Sequence, residues 1–503
     1  MTIFAQSNQN INNMEQQRYR EILKHIQDAI CRTKFENHVY AVGGCVRDEV
    51  LGSPKIKDID LVISLPNGGI DFARFMESSR LTRGSIVVYE TYGTAMFRLQ
   101  AFPDEEIECV QTRKEQYHDI NSRNPETSYG TLEEDCMRRD LTINALYFNV
   151  STFQMTDPCG KGLEDIREKN IRVTSTPDIV YNDDPLRILR AIRFYCRFGN
   201  SWTLDSDTLN GMEKNAHRLE IITAERKQDE LNKILMTDNA SMGIWMIRSI
   251  GAMDYVIPEL TETYDMEQNE YHSGTVWVHT LKVLENVDIS GIDNPDDILV
   301  LHMAALLHDI GKIETRTVDA DGHVHFYKHE LSSVKLIEII LRRLKYANDF
   351  IKDVQFLSLN HMMTKQWKDD ISGTKHKTRS IRKLQYLCKT RHRFDMLMRL
   401  IDADNRSHAP EHCLPTQVKI IRQLSEEMCS SRQDMFEFKL PVNGDDIMTF
   451  KGIKPGREIK DYQEYMLKLC FNNPTLTKEE LLDKIKNLSP DKLHPHRQNP
   501  NIT

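Results

Sequence analysis

The sequence of 503 residues lacks long hydrophobic runs, an apolar leader and cysteines at the spacing of a redox or metal motif. No run reaches the length of a membrane span, and the opening MTIFAQSNQNINN has no apolar core of a signal peptide. The ten cysteines are scattered without a CxxC pair, which favours reduced thiols over a disulfide framework. We therefore expect a cytoplasmic protein without a membrane partner.

The chain also lacks a dominant charge sign, an internal repeat and a low-complexity tract. Its net charge is −9, and 40% hydrophobic with 28% charged residues is an ordinary composition for a globular protein. A nucleic-acid partner would consequently need a local basic face, because the total charge does not attract a polyanion. The length is sufficient for about three or four domains with sizeable cores.

Two kinds of hydrophobic pattern divide the chain. Short β-like runs alternate with helical stretches between residues 38 and 175, whereas helical periodicity dominates from about residue 176 onward. The pattern predicts an α+β fold in which a sheet domain precedes a long all-helical body. The predicted segments are 1–37 (an N-terminal extension with one amphipathic helix), 38–175 (the sheet domain), and 176–260, 261–410 and 411–503 (helical).

The stretch AVGGCVRDEVLGSPKIKDIDLVIS, residues 41–64, ends in an apolar run, and Asp58 and Asp60 lie at the start of this run. Residues i and i+2 of a strand share a face, so we expect both carboxylates to converge while their neighbours enter the core. Two converging carboxylates suit Mg²⁺, which shares its remaining positions with water and phosphate. Gly43 and Gly44 would let backbone amides approach that phosphate at the start of the next helix.

Each part of this stretch also has a simpler explanation. The glycine pair could be a tight turn, and Asp48 a surface charge on a helix. The DxD triplet recurs, and Asp205/Asp207 and Asp319/Asp321 lie in polar stretches where we expect solvated loop charges. The functional interpretation therefore depends on the combination of the glycine pair, VRD and DxD within one stretch.

A second polar cluster lies in RRDLTINAL, residues 138–146. Arginine forks fit phosphate oxygens in a bidentate manner, so this cluster could clamp a triphosphate and the ribose hydroxyls. Its candidate nucleotide-binding residues are Arg138, Arg139, Asp140 and Asn144. The alternative is a helix start with the aspartate near the cap, and the two interpretations are compatible.

The stretch NDDPLRILRAIRF, residues 182–194, begins like a helix with an acidic N-cap, Asp184, and a proline at the first helical position. That explanation leaves out Arg187, three residues on and on the same side. A carboxylate accepts a hydrogen bond from the exocyclic amino group of cytosine or adenine, and a guanidinium donates to ring acceptors. The pair therefore predicts selection of C and A by the protein itself.

Two basic segments are candidate phosphate tracks, although each could be a solvated helix face. The first repeats arginine at helical spacing without intervening acids: Arg187, Arg190, Arg193 and Arg197. We expect Arg190 to contact the nucleotide and Arg193 and Arg197 to contact RNA. The second, residues 375–393, contains no acid, and its RNA-binding candidates are Lys375, Lys377 and Arg379.

The helical body contains histidines and aspartates in the order H…HD…D. The metal-ligand candidates are His279, His308, Asp309 and one of Asp402 and Asp404. Imidazole with carboxylate suits Mg²⁺, Mn²⁺, Fe²⁺, Co²⁺ or Ni²⁺. A lone histidine on an apolar helix face is more often a core residue, but HDIGK after the apolar MAALL is more specific.

These motifs together resemble the nucleotidyltransferase superfamily, specifically the class II tRNA CCA-adding enzymes and bacterial poly(A) polymerases. The motifs are GGCVRD with DID, RRDLTINAL, NDDPLR, TAERKQDEL and, downstream, the HDIGK of metal-dependent HD phosphohydrolases. The resemblance extends from about residue 38 to 470. It implies a nucleotidyltransferase head, a helical neck that selects the nucleotide and binds tRNA, an HD domain and C-terminal helices.

The resemblance also implies roles for residues of the head and neck. Glu108 in IECVQ would join Asp58 and Asp60 as a catalytic carboxylate, and Arg47 of VRD would bind nucleotide together with the glycine pair. Asp183 stands where the family usually has glutamate, so its reach is one methylene shorter. Three further residues are placed by the same resemblance: Arg113 near phosphate, and Glu225 and Arg226 as supports for the neighbouring helix.

In the HD domain the resemblance favours Asp404 over Asp402 and places His329 and His361 where two-metal members carry extra ligands. The implied reaction is transfer of CMP and AMP from CTP and ATP to the 3′ end of tRNA with two Mg²⁺, with a separate transition metal in the HD site. Three alternatives remain: a poly(A) polymerase, an HD phosphohydrolase whose head only binds RNA, and a non-catalytic RNA-binding protein.

Overall fold

The computed structural model describes residues 2–53, 58–116, 126–269, 271–272, 274–365, 367 and 375–488. The chain divides into two compact units, Met1–Thr261 and Glu262–Thr503, and this division falls beside the predicted break after residue 260. The predicted α+β class is confirmed, since strands are concentrated in the first unit and helices make up most of the second.

The helices of the first unit are α1 (Thr2–Ile30), α2 (Gly44–Val50), α3 (Gly68–Ser78), α4 (Leu132–Met137), α5 (Gly162–Glu168), α6 (Pro177–Asp183), α7 (Leu186–Phe198), α8 (Ser206–Asn215), α9 (Ala224–Leu235), α10 (Ala240–Ser249) and α11 (Met253–Val256). Those of the second unit are α12 (Val276–Asn286), α13 (Pro295–Leu307), α14 (Lys312–Thr315), α15 (His329–Arg343), α16 (Asn348–Asn360), α17 (Lys375–Cys388), α18 (Arg391–Arg406), α19 (Gln417–Ser430), α20 (Gly444–Lys451), α21 (Arg457–Asn472) and α22 (Lys478–Ile485).

The strands are β1 (Val39–Val42), β2 (Ile59–Ile63), β3 (Val87–Tyr89), β4 (Thr94–Arg98), β5 (Glu106–Gln111), β6 (Arg113–Gln116), β7 (Glu126–Tyr129), β8 (Tyr147–Asn149), β9 (Gln154–Thr156), β10 (Asn170–Ile171), β11 (Thr203–Leu204), β12 (Arg316–Val318) and β13 (Val324–Phe326). Seven form one sheet in the order β3-β4-β5-β2-β1-β8-β9, in which β2 and β5 are parallel and the other neighbours antiparallel. The pairs β6-β7 and β12-β13 are antiparallel, and β10-β11 is parallel.

The hydrophobic pattern explains the centre of the sheet. In β2 all residues except Asp60 are buried, so its continuous apolar run lies in the core. In β5 the pattern alternates: Ile107 and Cys109 are buried, whereas Glu106 and Glu108 point to the opposite face. The acidic side chains of Asp60 and Glu108, which are in register, therefore share one face of the sheet.

The apolar face of helix α1 that the spacing of its hydrophobic residues predicts is buried in the core. Its apolar residues Tyr19, Ile22, Leu23, Ile26 and Ile30 are all buried. In the second unit the apolar MAALL of α13 is also buried, and α13 packs against α12, α16 and α18. No helix of the described ranges is long and apolar enough to cross a membrane.

Candidate active site

The centre of the sheet brings two of the predicted catalytic carboxylates together. Asp60 on β2 pairs in parallel register with Glu108 on β5 and in antiparallel register with Val42 on β1. Directly after β1, Gly43 has φ +77°, and a Cβ there would lie 3.5 Å from Asp60 Oδ2. Glycine is thus required by backbone conformation, and it opens the space in front of the acid.

Asp58 does not lie on the strand, contrary to the prediction. Strand β2 begins at Ile59, and Asp58 has φ +51° immediately before it. The expectation that both side chains share a strand face is therefore wrong, because the left-handed residue breaks the alternation. Asp58 is exposed and Asp60 half-buried, yet Asp58 remains close enough to raise the pKa of Asp60.

The three carboxylates of Asp58, Asp60 and Glu108 concentrate negative charge at this site. Burial raises the pKa of Asp60 to about 6, with further contributions from the charges of Glu108 and Asp58. Arg139 opposes this shift, but only in part. Hard oxygen donors with a surplus of negative charge are the donor set that suits a divalent cation.

A residue that the sequence analysis missed, Asp135, organises the second motif. Its carboxylate is fully buried and binds Arg138 at 2.6 Å and Arg139 at 3.0 Å. The Tyr147 hydroxyl and the Arg113 amide also donate to it, at 2.6 and 3.2 Å. The arginines hold the pKa of Asp135 at about 2 in spite of burial. Its position three and four residues before the arginines is the signal that could have revealed it.

The remaining residues of this motif bind one another and the neck. Asp140 is buried and accepts two hydrogen bonds from the Arg190 fork, at 2.5 and 2.9 Å. It also accepts from Asn144 at 3.1 Å, and Arg190 with Asn144 lowers its pKa despite burial. Asp140 therefore joins the second motif to α7, which carries the base-selecting candidates.

The arginine stripe of α7 is not a free basic face, contrary to the prediction. Arg190 pairs with Asp140, Arg193 with Glu230 at 2.8 Å, and Arg197 with Asp48 at 3.1 Å. The acids come from distant parts of the chain, so the absence of acids within the stripe was misleading. Asp48 is itself buried, and the alternative of a surface charge is wrong.

Arg47 is buried behind the glycine turn rather than open to a nucleotide. Its guanidinium donates to Asp48 at 2.8 Å and to Asn144 at 2.5 Å. It also stacks on the rings of Phe194 and Phe198, at 5.0 and 5.9 Å from their centroids. These contacts indicate that Arg47 fixes the turn and the second motif against α7.

The base-selecting candidates lie where α6 ends and α7 begins. Helix α7 begins at Leu186, and Asp184 accepts a hydrogen bond from the Leu186 amide at 3.2 Å and pairs with Arg226 at 2.7 Å. Arg187 donates to the carbonyls of Val180 and Arg138. Burial raises the pKa of Asp183, which Arg187 opposes. The structure thus gathers all three candidates next to the second motif.

Helix α17 contains the predicted basic track. Arg379 is exposed and Lys377 half-buried, while the side chain of Lys375 lies outside the described residues. Arg382 of the same segment is buried and donates to the carbonyls of Gln433, Phe471 and Asn472. Part of this basic segment therefore anchors the C-terminal helices instead of facing a partner.

The second unit gathers the predicted histidines and aspartates in one buried cluster. Asp309 Oδ2 lies 3.2 Å from His308 Nε2 and 3.7 Å from His279 Nε2, and Asp404 Oδ1 lies 3.2 Å from His279 Nε2. Asp402 instead pairs with Arg406 on the surface of α18. The structure therefore places Asp404 in the cluster. Among described residues, the tight groups of three metal-type ligands all lie in this unit.

Two further histidines face the other oxygen of Asp309. His329 Nε2 and His361 Nε2 lie 3.1 and 3.6 Å from its Oδ1. The Nδ1 atoms of His308, His329 and His361 approach backbone carbonyls of Ala305, Phe326 and Ser358 at 2.6 to 3.0 Å. A carbonyl only accepts, so each Nδ1 carries the proton and each Nε2 presents a lone pair.

The cluster fits a metal ion. Within the described part of the chain, the buried Nε2 atoms of His279 and His308 have no hydrogen-bond donor. Burial lowers the pKa of His279 and His361, which favours the neutral ligand form, whereas Asp309 raises the pKa of His308 against burial. The cluster opens into a cavity of about 590 Å³.

Two lysines and two histidines that the sequence analysis missed complete this cavity. Lys312 binds Asp309 and Lys365 binds Asp404, each at 2.7 Å. His272 and His408 also line the wall. HDIGK contains Lys312, but no sequence signal connects the other three to the site.

Three protein families match consecutive parts of the chain. The poly(A) polymerase head domain matches residues 39–172, the probable RNA- and SrmB-binding site of polymerase A matches 202–263, and the HD domain matches 271–406. The chain is 32% identical over 329 residues to the multifunctional CCA protein of Actinobacillus pleuropneumoniae serotype 5b, which covers 63% of this chain and 74% of that protein. The chain belongs to the tRNA nucleotidyltransferase and poly(A) polymerase family.

This membership confirms the predicted resemblance and makes the protein a nucleotidyltransferase. Another relative, the A-adding tRNA nucleotidyltransferase of Deinococcus radiodurans, is 33% identical over 46% of this chain and 53% of its own length. The Bacillus stearothermophilus CCA-adding enzyme in complex with CTP has the same fold, with 18% identity, a TM-score of 0.58, and coverage of 89% of this chain and 93% of that one. Nucleotidyltransferase and HD families both depend on metal ions.

Proposed function

We propose that this nucleotidyltransferase transfers CMP and AMP from CTP and ATP to the 3′ end of tRNA without a nucleic-acid template. The observation that carries the proposal is Asp60 in register with Glu108, directly in front of the Gly43 turn. The relatives named CCA protein and A-adding tRNA nucleotidyltransferase support the choice of tRNA and of both nucleotides. In the reaction, the 3′-hydroxyl attacks the α-phosphorus and pyrophosphate leaves.

Asp58, Asp60 and Glu108 are the residues that would hold Mg²⁺ in the head. Their crowded charge, offset only in part by Arg139, supports this assignment. When bound, two ions would favour deprotonation of the attacking hydroxyl and neutralise charge on the leaving pyrophosphate. The carboxylates themselves fix the place where the reacting phosphate must lie.

Arg138 and Arg139 would hold the triphosphate. Asp135 fixes both guanidinium groups before the nucleotide arrives, and Arg139 Nη1 lies 4.0 Å from the position of a Cβ on Gly43. Charges that are already oriented stabilise the transition state without the cost of reorganisation. Asp140 and Asn144 would keep this clamp aligned with α7.

Asp183, Asp184 and Arg187 would select the base. Carboxylates that accept hydrogen bonds favour cytosine and adenine, whose exocyclic amino groups donate, over uracil, whose O4 accepts. Arg226 supports Asp184 from α9, in line with its predicted supporting role. For tRNA, Lys377 and Arg379 remain proposed contacts, whereas the pairing of Arg193 and Arg197 supports a positioning role.

Asp184→Asn tests base selection. The change keeps a side-chain oxygen that can accept from the Leu186 amide but adds a donor where cytosine presents its amino group, so kcat/KM for CTP should fall about 10- to 100-fold. The ratio of kcat/KM for CTP to kcat/KM for UTP should decrease at the same time. Single-nucleotide addition measured with each nucleotide gives both values. Asp178→Asn, an exposed change on α6, should leave both unchanged.

The product sequence on a tRNA transcript that ends at the discriminator base tests the proposed function itself. With CTP and ATP together, sequencing of the 3′ ends should show CCA, and with CTP alone it should show two cytidines. A tail of adenosines without cytidine would identify a poly(A) polymerase. Addition of A only after a preformed CC end would restrict this chain to the A-adding role.

A second candidate function, metal-dependent hydrolysis of a phosphate ester, is favoured by the buried histidine cluster. His279, His308, Asp309 and Asp404 would hold one transition metal, such as Mn²⁺, Fe²⁺, Co²⁺ or Ni²⁺. His329 and His361 face the opposite oxygen of Asp309, which supports an extended ligand set. Lys312 and Lys365 would supply positive charge for phosphate oxygens.

The free thiols of the chain are compatible with the proposed cytoplasmic location.

His308→Ala is expected to remove metal from the second unit. Losing one ligand and leaving Asp309 and His279 incompletely paired should lower bound transition metal by at least about 10-fold. Plasma emission spectroscopy after purification and dialysis measures the content. His392→Ala, an exposed histidine of the same unit, should retain the metal of the unaltered protein. Equal metal content in all three proteins would contradict the assignment of this centre.

A further inference from the structure

The sheet face that carries Asp60 and Glu108 continues as far as the edge strand β3. Asp60 lies opposite Glu108, Glu108 lies opposite Met96, and Met96 lies opposite Val87, so one row of partners crosses β2, β5, β4 and β3. Directly opposite residues of neighbouring strands have their side chains on the same face of a sheet. Tyr89 follows Val87 by two residues and belongs to this face as well. The two carboxylates and these three side chains therefore share one continuous surface.

The two faces of the sheet differ in burial at β3 and β4. On the opposite face, Phe97 of β4 is buried and its ring lies 6.0 Å from that of Phe72 on α3. On the carboxylate face, Val87 and Tyr89 are 50% and 46% exposed, and Met96 is half-buried. We call Val87, Tyr89 and Met96 the β3–β4 platform. It is an apolar surface on which a planar group can pack beside the catalytic acids.

The geometry of the transfer reaction decides which substrate meets this platform. Gly43 and Arg139 lie on the β1 side of Asp60, where the triphosphate would be held. Glu108 lies on the other side, because β2 separates β5 from β1 in the sheet. The attacking oxygen and the leaving pyrophosphate stand in line on opposite sides of the phosphorus. The 3′-hydroxyl must therefore approach from the β5 side, and this side continues into the β3–β4 platform.

We propose that the β3–β4 platform binds the 3′-terminal nucleosides of the tRNA that receives the nucleotide. Tyr89 presents an aromatic face on which an unpaired base can stack, and Val87 and Met96 add apolar contact. Neighbouring strands are about 4.8 Å apart, so β3 lies roughly 10 Å from Glu108 on β5, within reach of the nucleotides that precede the attacking hydroxyl. Stacking reads no base edge, so the platform accepts any terminal base. The assignment rests on the proposed function, in which RNA supplies this hydroxyl.

Tyr89→Ala tests the platform by kinetics. With a tRNA transcript that ends at the discriminator base, KM for tRNA should rise at least about 5-fold, because a base–aromatic stack is lost. KM for CTP should stay at its unaltered value, which a damaged fold would not allow. Tyr89→Phe keeps the aromatic face and should restore KM for tRNA, and Leu163→Ala, an exposed apolar change on α5, should leave both constants unchanged. An unchanged KM for tRNA in Tyr89→Ala, or an equal rise of both constants, would overturn the proposal.

Photocrosslinking locates the 3′ end of the RNA without relying on turnover. The same transcript, with 4-thiouridine as its last nucleoside, is irradiated with the full chain and Mg²⁺ before any CTP is added. Peptide mapping should place the link within residues 87–96. A link to another part of the chain, or no link, would overturn the platform even where nucleotide addition is normal. A link within 87–96 in a chain that adds no nucleotide would support the platform and place the failure with the proposed function.

Discussion

Asp60→Asn is expected to abolish nucleotide addition while it raises the thermal stability of the metal-free protein. The loss of activity follows from the removal of a carboxylate that would bind the ion, whose charge stabilisation is worth several kcal/mol in the transition state. We expect kcat to fall by about 10³-fold or more. Incorporation of labelled CMP into tRNA measures this value.

The gain in stability follows from the crowding of acids around Asp60. The fold raises the pKa of the Asp60 carboxyl group to about 6, so its ionised form lowers the free energy of unfolding of the protein, here by on the order of 1–3 kcal/mol. The cost is present above pH 6, decreases as the pH falls through 6, and is absent near pH 4, where the unfolded chain also becomes protonated. In EDTA, the melting temperature of Asp60→Asn should therefore exceed that of the unaltered protein at pH 8, and this difference should be smaller at pH 5 and disappear near pH 4.

Asp71→Asn is a matched control, because this residue lies on α3 of the same head with a partly exposed side chain and pairs with Lys34. It should change neither activity nor the pH dependence of melting. An Asp60→Asn protein that still adds CMP at more than a tenth of the normal rate would contradict the assignment. A lower melting temperature at pH 8 would contradict the account of crowded charge.

Asp135→Asn is expected to cause the largest loss of stability in the head. Asp135 is fully buried and accepts hydrogen bonds from Arg138, Arg139 and the Tyr147 hydroxyl. Neutralising it removes the charged partner of Arg139 and leaves Arg138 with Glu115 at 3.4 Å. Breaking such a buried arrangement costs about 3–5 kcal/mol. The stabilisation is present above the unfolded pKa near 4 and is lost as the pH falls through about 2.

Scanning calorimetry measures the effect as a shift of the transition that CTP raises, which identifies the head. The midpoint of this transition should fall by about 6–20 °C, and KM for CTP should rise with it. Glu134→Gln, the adjacent residue in the exposed capping box of α4, should shift the midpoint by only a few degrees. Equal shifts for the two variants would contradict the role of Asp135 as an anchor.

Local sequence patterns were sufficient for much of the fold and the site. The apolar face of α1, the buried run of β2 and the alternation that exposes Glu108 on β5 all follow from periodicity. The glycine turn was also predictable from the pair Gly43-Gly44. In the structure, Gly43 adopts a positive φ in front of Asp60. The clustering of His279, His308, Asp309 and Asp404 followed from family motifs rather than from spacing.

Pairing across the fold could not be predicted in this way. Arg197 binds Asp48 from 149 positions away, and Glu230, which binds Arg193, lies on a different helix. A stripe of arginines on one helix carries no information about acids that arrive from other elements. The same limit applies to Lys365 and His408, which join the histidine cluster only through packing of the second unit.

The placement of Asp58 shows how a single backbone angle changes a prediction. The i and i+2 argument holds for residues within a strand, but β2 starts one residue after Asp58. Its positive φ turns the side chain away from the expected alternation, although Asp58 still contributes to the charge around Asp60. Strand boundaries are set by hydrogen bonding with neighbours, which a single sequence does not reveal.

Anomalous diffraction from crystals soaked with Mn²⁺ and CTP tests the central claim most directly. Mn²⁺ replaces Mg²⁺ at oxygen ligands and reveals its own position. We predict an anomalous peak within coordination distance of the carboxylate oxygens of Asp60 and Glu108, with the triphosphate of CTP beside Arg139. Bound CTP with no peak at these carboxylates, or with its triphosphate away from the Gly43 turn, would contradict the account.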